Sequence, residues 1–124
     1  MTLGSVNSEL EALVRLLIRG PQWEIETEAV VDTGFNGALT LPSDLIAKLG
    51  LRLKTRMWGM LADGRADLFD VYEALIFWNG RLRRISVNAA ESDPLLGMSL
   101  LQGNELAIQV VDGGEVFIRE LGFS

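Results

Sequence analysis

The sequence predicts an all-β fold, a partly closed barrel carrying two short helices. Turn signals recur at intervals of roughly ten to fifteen residues, with short apolar runs between them. Glu24-Ile25-Glu26-Thr27-Glu28-Ala29-Val30 alternates polar and apolar with the period of a half-buried strand. Asp63-Gly64 and Asn79-Gly80 are dipeptides of the type I′ turn, each flanked by apolar residues, and they mark two hairpins.

Each element follows from local chemistry. Residues 10–18 carry Leu10, Leu13, Val14 and Leu17, a spacing that also suits an amphipathic helix. The Arg19-Gly20-Pro21-Gln22 turn and the alternating stretch after it favour a strand, so the two form a hairpin delivering residues 30–34 into the core. Leu39-Thr40-Leu41-Pro42 reads as a short strand. A helix over 44–49 follows, with Ser43 as its N-cap, Asp44 at its positive end, Leu45, Ile46 and Leu49 as its buried stripe, and Gly50 just past its end. Met57 to Leu68 is a hairpin with its tip at Asp63-Gly64. The run Val71 to Trp78 is a central strand, and Leu82, Ile85 and Val87 continue the next one after Asn79-Gly80. Asp93-Pro94 marks a turn, Met98 to Gln102 a short helix closed by Gly103, and Asp112-Gly113-Gly114 joins two last strands, about 105–111 and 115–119. The 124 residues suit one domain, 1–124, with no repeat, linker or low-complexity segment.

Composition removes several chemistries. Hydrophobic residues make up 48% of the chain and charged ones 23%, the balance of an ordered globular protein. With 17 acidic against 11 basic residues the net charge is −6, which disfavours nucleic-acid binding; the one basic run, Arg81, Arg83 and Arg84, reads as the solvated side of a strand. Cys is absent, so disulfides, thiolate metal sites and thiol nucleophiles are excluded. His is absent too, removing the usual base of a Ser or Cys triad and the commonest metal ligand. A Ser-Lys pair has only Lys48 and Lys54 to draw on, neither near a nucleophile motif. If the protein is a hydrolase, carboxylates are the natural remaining groups for proton transfer, an elimination that does not itself make the chain an enzyme. The longest early apolar stretch, Leu13 to Ile18, is too short to span a bilayer and is preceded by Glu9 and Glu11 rather than by a basic region. The expectation is a cytoplasmic protein with no membrane partner, no metal and no organic cofactor.

Val30-Val31-Asp32-Thr33-Gly34 places a carboxylate at the end of an apolar strand, where an unpaired charge is costly. Alone, the tripeptide is also what an Asp capping a turn before Gly looks like. Its context adds to it. Asp32-Thr33-Gly34 is followed by the strand and helix Leu39 to Leu49, then by the hairpin tipped at Asp63-Gly64. Leu95-Leu96-Gly97 comes about sixty residues after the tripeptide, before the second helix.

This order of parts resembles the retropepsin-like aspartic peptidases, over nearly the whole chain from about Val14 to Ile118. VVDTGFNGALTLP and DPLLGMSLL look like a bacterial group of small stand-alone members of that clan. The resemblance implies an acid-protease barrel with a flap hairpin and an aspartic endopeptidase activity with Asp32 as the catalytic residue. Hydrolysis by this route needs two carboxylates sharing one proton, one acting as base toward water and the other as acid toward the carbonyl oxygen. The chain has a single D-T-G, so the second Asp32 must come from another copy in a C2 homodimer. The resemblance further implies that Thr33 hydroxyls reach across the axis, that Gly34 brings its N–H to the carboxylate, and that Leu95, Leu96 and Gly97 support the loop from behind. Trp58, Gly59, Met60, Leu61, Ala62, Asp63 and Gly64 would form the flap that closes over an extended peptide substrate. Trp58, Met60 and Leu61 read equally as hairpin packing residues.

The chain departs from the pattern at one position. Many aspartic peptidases have Ala or Ser after the D-T-G glycine, and here Phe35 and Asn36 follow. A ring at that position implies a narrower cleft, a preference for small side chains, or a scaffold that no longer cleaves peptides in general. The last case leaves a peptide-binding or dimerisation module of the same fold.

Overall fold

The computed structural model describes residues 1–61 and 63–122. Ten strands and two helices follow one another: β1 (Thr2–Val6), β2 (Ala12–Arg19), β3 (Glu24–Val31), β4 (Leu39–Leu41), α1 (Ser43–Leu49), β5 (Arg52–Met60), β6 (Ala66–Trp78), β7 (Arg81–Ala89), β8 (Leu95–Leu96), α2 (Met98–Leu101), β9 (Asn104–Ile108) and β10 (Glu115–Glu120). The all-β expectation holds, and among the described residues no helix is long and apolar enough to cross a membrane.

The strands form one sheet in the order β5-β6-β7-β4-β8-β3-β2-β1-β10-β9, with an added pairing of β6 to β2. That pairing, Ile18 opposite Ile76, closes β2, β6, β7, β4, β8 and β3 into a ring. Strands β5 and β9 are left as its free edges. Most pairings are antiparallel, but β3 runs parallel to β8 and β4 parallel to β7. The parallel pairs bring Leu95 and Leu96 beside Val30 and Val31.

Alternation explains the core. In β2, Ala12, Val14, Leu16 and Ile18 point inward; in β3 the exposed Glu24, Glu26 and Glu28 leave Ala29 as the buried member. These residues join Leu39, Leu41, Leu49, Ile76, Val87, Leu96, Leu100, Val116 and Ile118 in one apolar cluster.

Several boundaries differ from the sequence reading. The first predicted strand starts late, because Leu10 lies in the left-handed region (φ 61°) and closes a turn whose Asn7 carbonyl accepts its N–H. That turn serves β1, a strand the sequence did not announce. Ser43 is the first helical residue of α1 and not its cap. Pro42 holds the cap position, and the Ser43 N–H donates to the Glu91 carboxylate at 3.0 Å. Gly50 ends α1 in the left-handed conformation as expected (φ 68°). The Asn79-Gly80 turn has both residues at positive φ, as type I′ requires. The Asp63-Gly64 turn does not, since only Gly64 is left-handed there. The loop is wider, closed by Leu61 N–H to Arg65 C=O and Gly64 N–H to Leu61 C=O. The strand expected over 105–111 stops at Ile108, because Gln109 to Gly114 fold into their own turn.

Candidate active site

Asp32 stands immediately after β3, half-buried, and its placement is set by β8. Its N–H donates to the Leu96 carbonyl at 2.9 Å, continuing the parallel pairing of Val30 and Val31 with Leu95 and Leu96. The chain then turns sharply: Phe35 N–H donates to the Asp32 carbonyl, and Gly34 N–H donates to the Asp32 carboxylate Oδ1 at 2.9 Å. A Cβ on Gly34 would lie 3.2 Å from that oxygen, tighter than an ordinary contact, which gives a steric reason for glycine at this position. Thr33 and Gly34 are exposed, and among the described residues the Thr33 hydroxyl has no hydrogen-bond partner.

The segment 95–99 locks the loop from behind. Gly97 N–H donates to Ala38 C=O, Met98 N–H to Phe35 C=O and Ser99 N–H to Gly37 C=O. Leu96 is fully buried, and Leu95 N–H donates to the hydroxyl of buried Thr40 at 2.9 Å. The backbones approach too closely for a side chain at Gly97, where a Cβ would meet the Gly37 carbonyl oxygen at 2.2 Å and the Phe35 ring at 2.5 Å. Gly37 has the same constraint from the other side, with the Phe35 ring 2.4 Å from its would-be Cβ. The Phe35 ring is therefore folded onto Gly37 and Gly97 instead of reaching freely into the open cleft.

The hairpin expected to act as a flap is β5–β6, paired from Arg52 with Glu73 to Met60 with Ala66. Trp58 and Met60 are 71% and 79% exposed, so they are not packing residues of the hairpin. Leu61 is half-buried, and Gly59 lies under the Phe69 ring, where a Cβ would come within 2.6 Å of it. Asp63 pairs with Arg65 at 2.6 Å beside Gly64 at the tip, and Ala62 lies outside the described residues.

Two spaces flank the Asp32 loop. A cleft of about 880 Å³ lies between Phe35 to Ala38 on one side and the flap residues Met57 to Met60 on the other. A groove of about 530 Å³ runs past Thr33, α2 and the edge strand β9. Asn36 and Ser99 border both, whereas Asp32 lines neither. The structure thus brings Thr33, Gly34 and the 95–97 segment around Asp32 and sets the flap across the cleft from Phe35. Sequence reasoning missed Gly37 and Thr40. The second glycine of Asp32-Thr33-Gly34-Phe35-Asn36-Gly37 was the available signal for one; nothing local marked the other.

No protein-family model matches the chain, and no curated protein matches it in sequence. Solved structures do resemble it. A retropepsin-like aspartic protease from Rickettsia conorii superposes with a TM-score of 0.59 at 15% identity, covering 92% of this chain and 87% of that one. The EIAV protease, in complex with the inhibitor HBY-793, superposes with a TM-score of 0.54 at 20% identity, covering 77% of this chain and 89% of that one. The chain has the retropepsin-like fold. At such identities the likeness extends to the fold and not to the activity.

Proposed function

We propose that the chain is one half of an aspartic endopeptidase, working as a C2 homodimer with one Asp32 from each copy in the catalytic dyad. The observation that carries this reading is the Asp32 loop itself. A carboxylate oriented by the Gly34 N–H, on a backbone pinned to Leu96, is presented beside exposed Thr33 and Gly34. A lone carboxylate held this way has no second group with which to share a proton, and a symmetry mate supplies it. One carboxylate then takes a proton from water as the water attacks the peptide carbonyl. The other gives its proton to the carbonyl oxygen, forming a gem-diol. It then takes a proton back from a gem-diol hydroxyl while the first gives its proton to the nitrogen, and the C–N bond breaks to release the acid and the amine. Thr33 steadies the loops across the axis. An extended peptide lies in the cleft beneath the flap, with Trp58 to Gly64 closing on it and excluding water. The whole of 1–124 acts as one domain.

Asp32→Asn tests the reading. Cleavage of a peptide library falls by a factor of roughly a thousand or more, given the 10²–10⁴-fold usual for a general base, while the thermal unfolding curve and dimer mass stay unchanged. Cleavage that survives the change rejects the dyad. In a crystal of the dimer the two Asp32 carboxylates lie roughly 3 Å apart. A second reading, a non-catalytic peptide-binding or dimerisation module, draws on the Phe35 ring at the cleft wall. It predicts peptide binding by the wild-type chain with no turnover.

A further inference from the structure

The charges around the cleft are one-sided. Its lining includes Lys54, Arg83 and Arg84, together with Phe35, Met57, Trp58 and Met60, and among the described residues no Asp or Glu. This is contrary to the chain as a whole, which has 17 acidic and 11 basic residues. Most cations elsewhere are already matched: Arg15, Arg19, Arg56, Arg65, Arg81 and Arg119 each have a carboxylate within 4.0 Å, and Arg84 meets Glu73 at 3.6 Å. Among the described residues Lys54 and Arg83 have no such partner, and outside the cleft the same holds for Lys48 and Arg52. Lys54 stands on the free-edge strand β5 and Arg83 on β7, so they reach the cleft from different elements. Met57 and the Phe35 ring add apolar surface to the same cleft, which weakens solvent screening of a charge brought into it.

We infer that the cleft selects extended peptides in which an apolar centre is flanked by Glu or Asp, with Lys54 and Arg83 as the residues that read the acidic side chains. The inference rests on the peptidase reading for turnover, but binding tests it separately. Exposed pairs of this kind contribute little each, so two together give a preference of roughly fivefold at low ionic strength. A preference of that origin fades as salt is added.

The experiment uses blocked octapeptides with one apolar centre and either Glu, Gln or Lys at the flanking positions. The wild-type dimer cleaves the Glu peptide roughly fivefold better in kcat/KM than the Gln peptide, and the Lys peptide worst. In Lys54→Gln with Arg83→Gln the Glu-to-Gln ratio collapses toward one, and in Lys54→Glu with Arg83→Glu the order inverts in favour of the Lys peptide. Equal cleavage of all three by the wild type overturns the selectivity and leaves the peptidase reading intact. If no peptide is cut, the peptidase reading falls. Fluorescence anisotropy of the same labelled peptides on Asp32→Asn then decides the charge preference alone, and equal affinities overturn it.

Discussion

Around Asp32 the backbone is interlocked, whereas the flap across the cleft is held by little more than its own ladder. The loop 32–38 and the segment 95–99 exchange four backbone hydrogen bonds, from Asp32, Gly97, Met98 and Ser99, and meet so closely that Gly97 has no room for a Cβ. The flap places Trp58 and Met60 in solvent and adds only the exposed pairs Arg56–Asp70 and Arg65–Asp63. The first region has a fixed geometry, which the proton transfer proposed for Asp32 requires. The second has few contacts to lose, which suits the opening and closing proposed for a flap. A retropepsin-like fold therefore divides its stability unevenly, and substitutions in the two regions separate into different kinds of loss.

Truncation of the support has the largest expected effect on stability. Leu96→Ala removes a fully buried side chain behind Asp32, and urea unfolding at fixed protein concentration shows a loss of about 3 kcal/mol. Gly97→Ala forces a methyl group against the Gly37 carbonyl and the Phe35 ring, and the same measurement shows about 2 kcal/mol. Thr40→Val keeps the volume but leaves the Leu95 N–H without its acceptor, a loss of about 1–2 kcal/mol. Trp58→Ala sits at the other end of the scale. Its unfolding free energy changes by less than about 0.5 kcal/mol, while on the peptidase reading the KM for peptide rises severalfold. A Trp58→Ala cost equal to that of Leu96→Ala would break the contrast between the regions. A cost confined to KM would sharpen it.

Much of this arrangement could be read from residues alone, and the missing parts share a cause. Asn79-Gly80, the alternation of Glu24 to Val30 and the Asp32-Thr33-Gly34 context are local signals, and the structure has a turn, a strand and a loop at those places. What depended on distant partners was not legible. The Ser43 N–H is satisfied by Glu91, which no helix-start rule could supply. β1 exists because β2 and β10 flank it, although Thr2-Leu3-Gly4-Ser5-Val6 is short and interrupted by glycine. Val110 and Val111 have the composition of a strand, but Gly114 N–H claims the Val111 carbonyl and bends them out of the sheet. Phe35 illustrates the limit at the site. The sequence marks it as bulky, and only the positions of Gly37 and Gly97 show where the ring goes.

The parallel pairing of β3 with β8 also has a consequence for how the chain is made. The carbonyl that anchors the Asp32 N–H belongs to Leu96, about sixty residues further along, and the ring of strands closes only when β6 reaches β2. Pairings so distant in sequence form late, since loop closure must precede the contacts that reward it. During synthesis the Asp32 loop emerges well before Leu96, so this anchor is missing until the C-terminal third is available. A chain interrupted before Leu95 therefore lacks the carbonyl that anchors the Asp32 N–H.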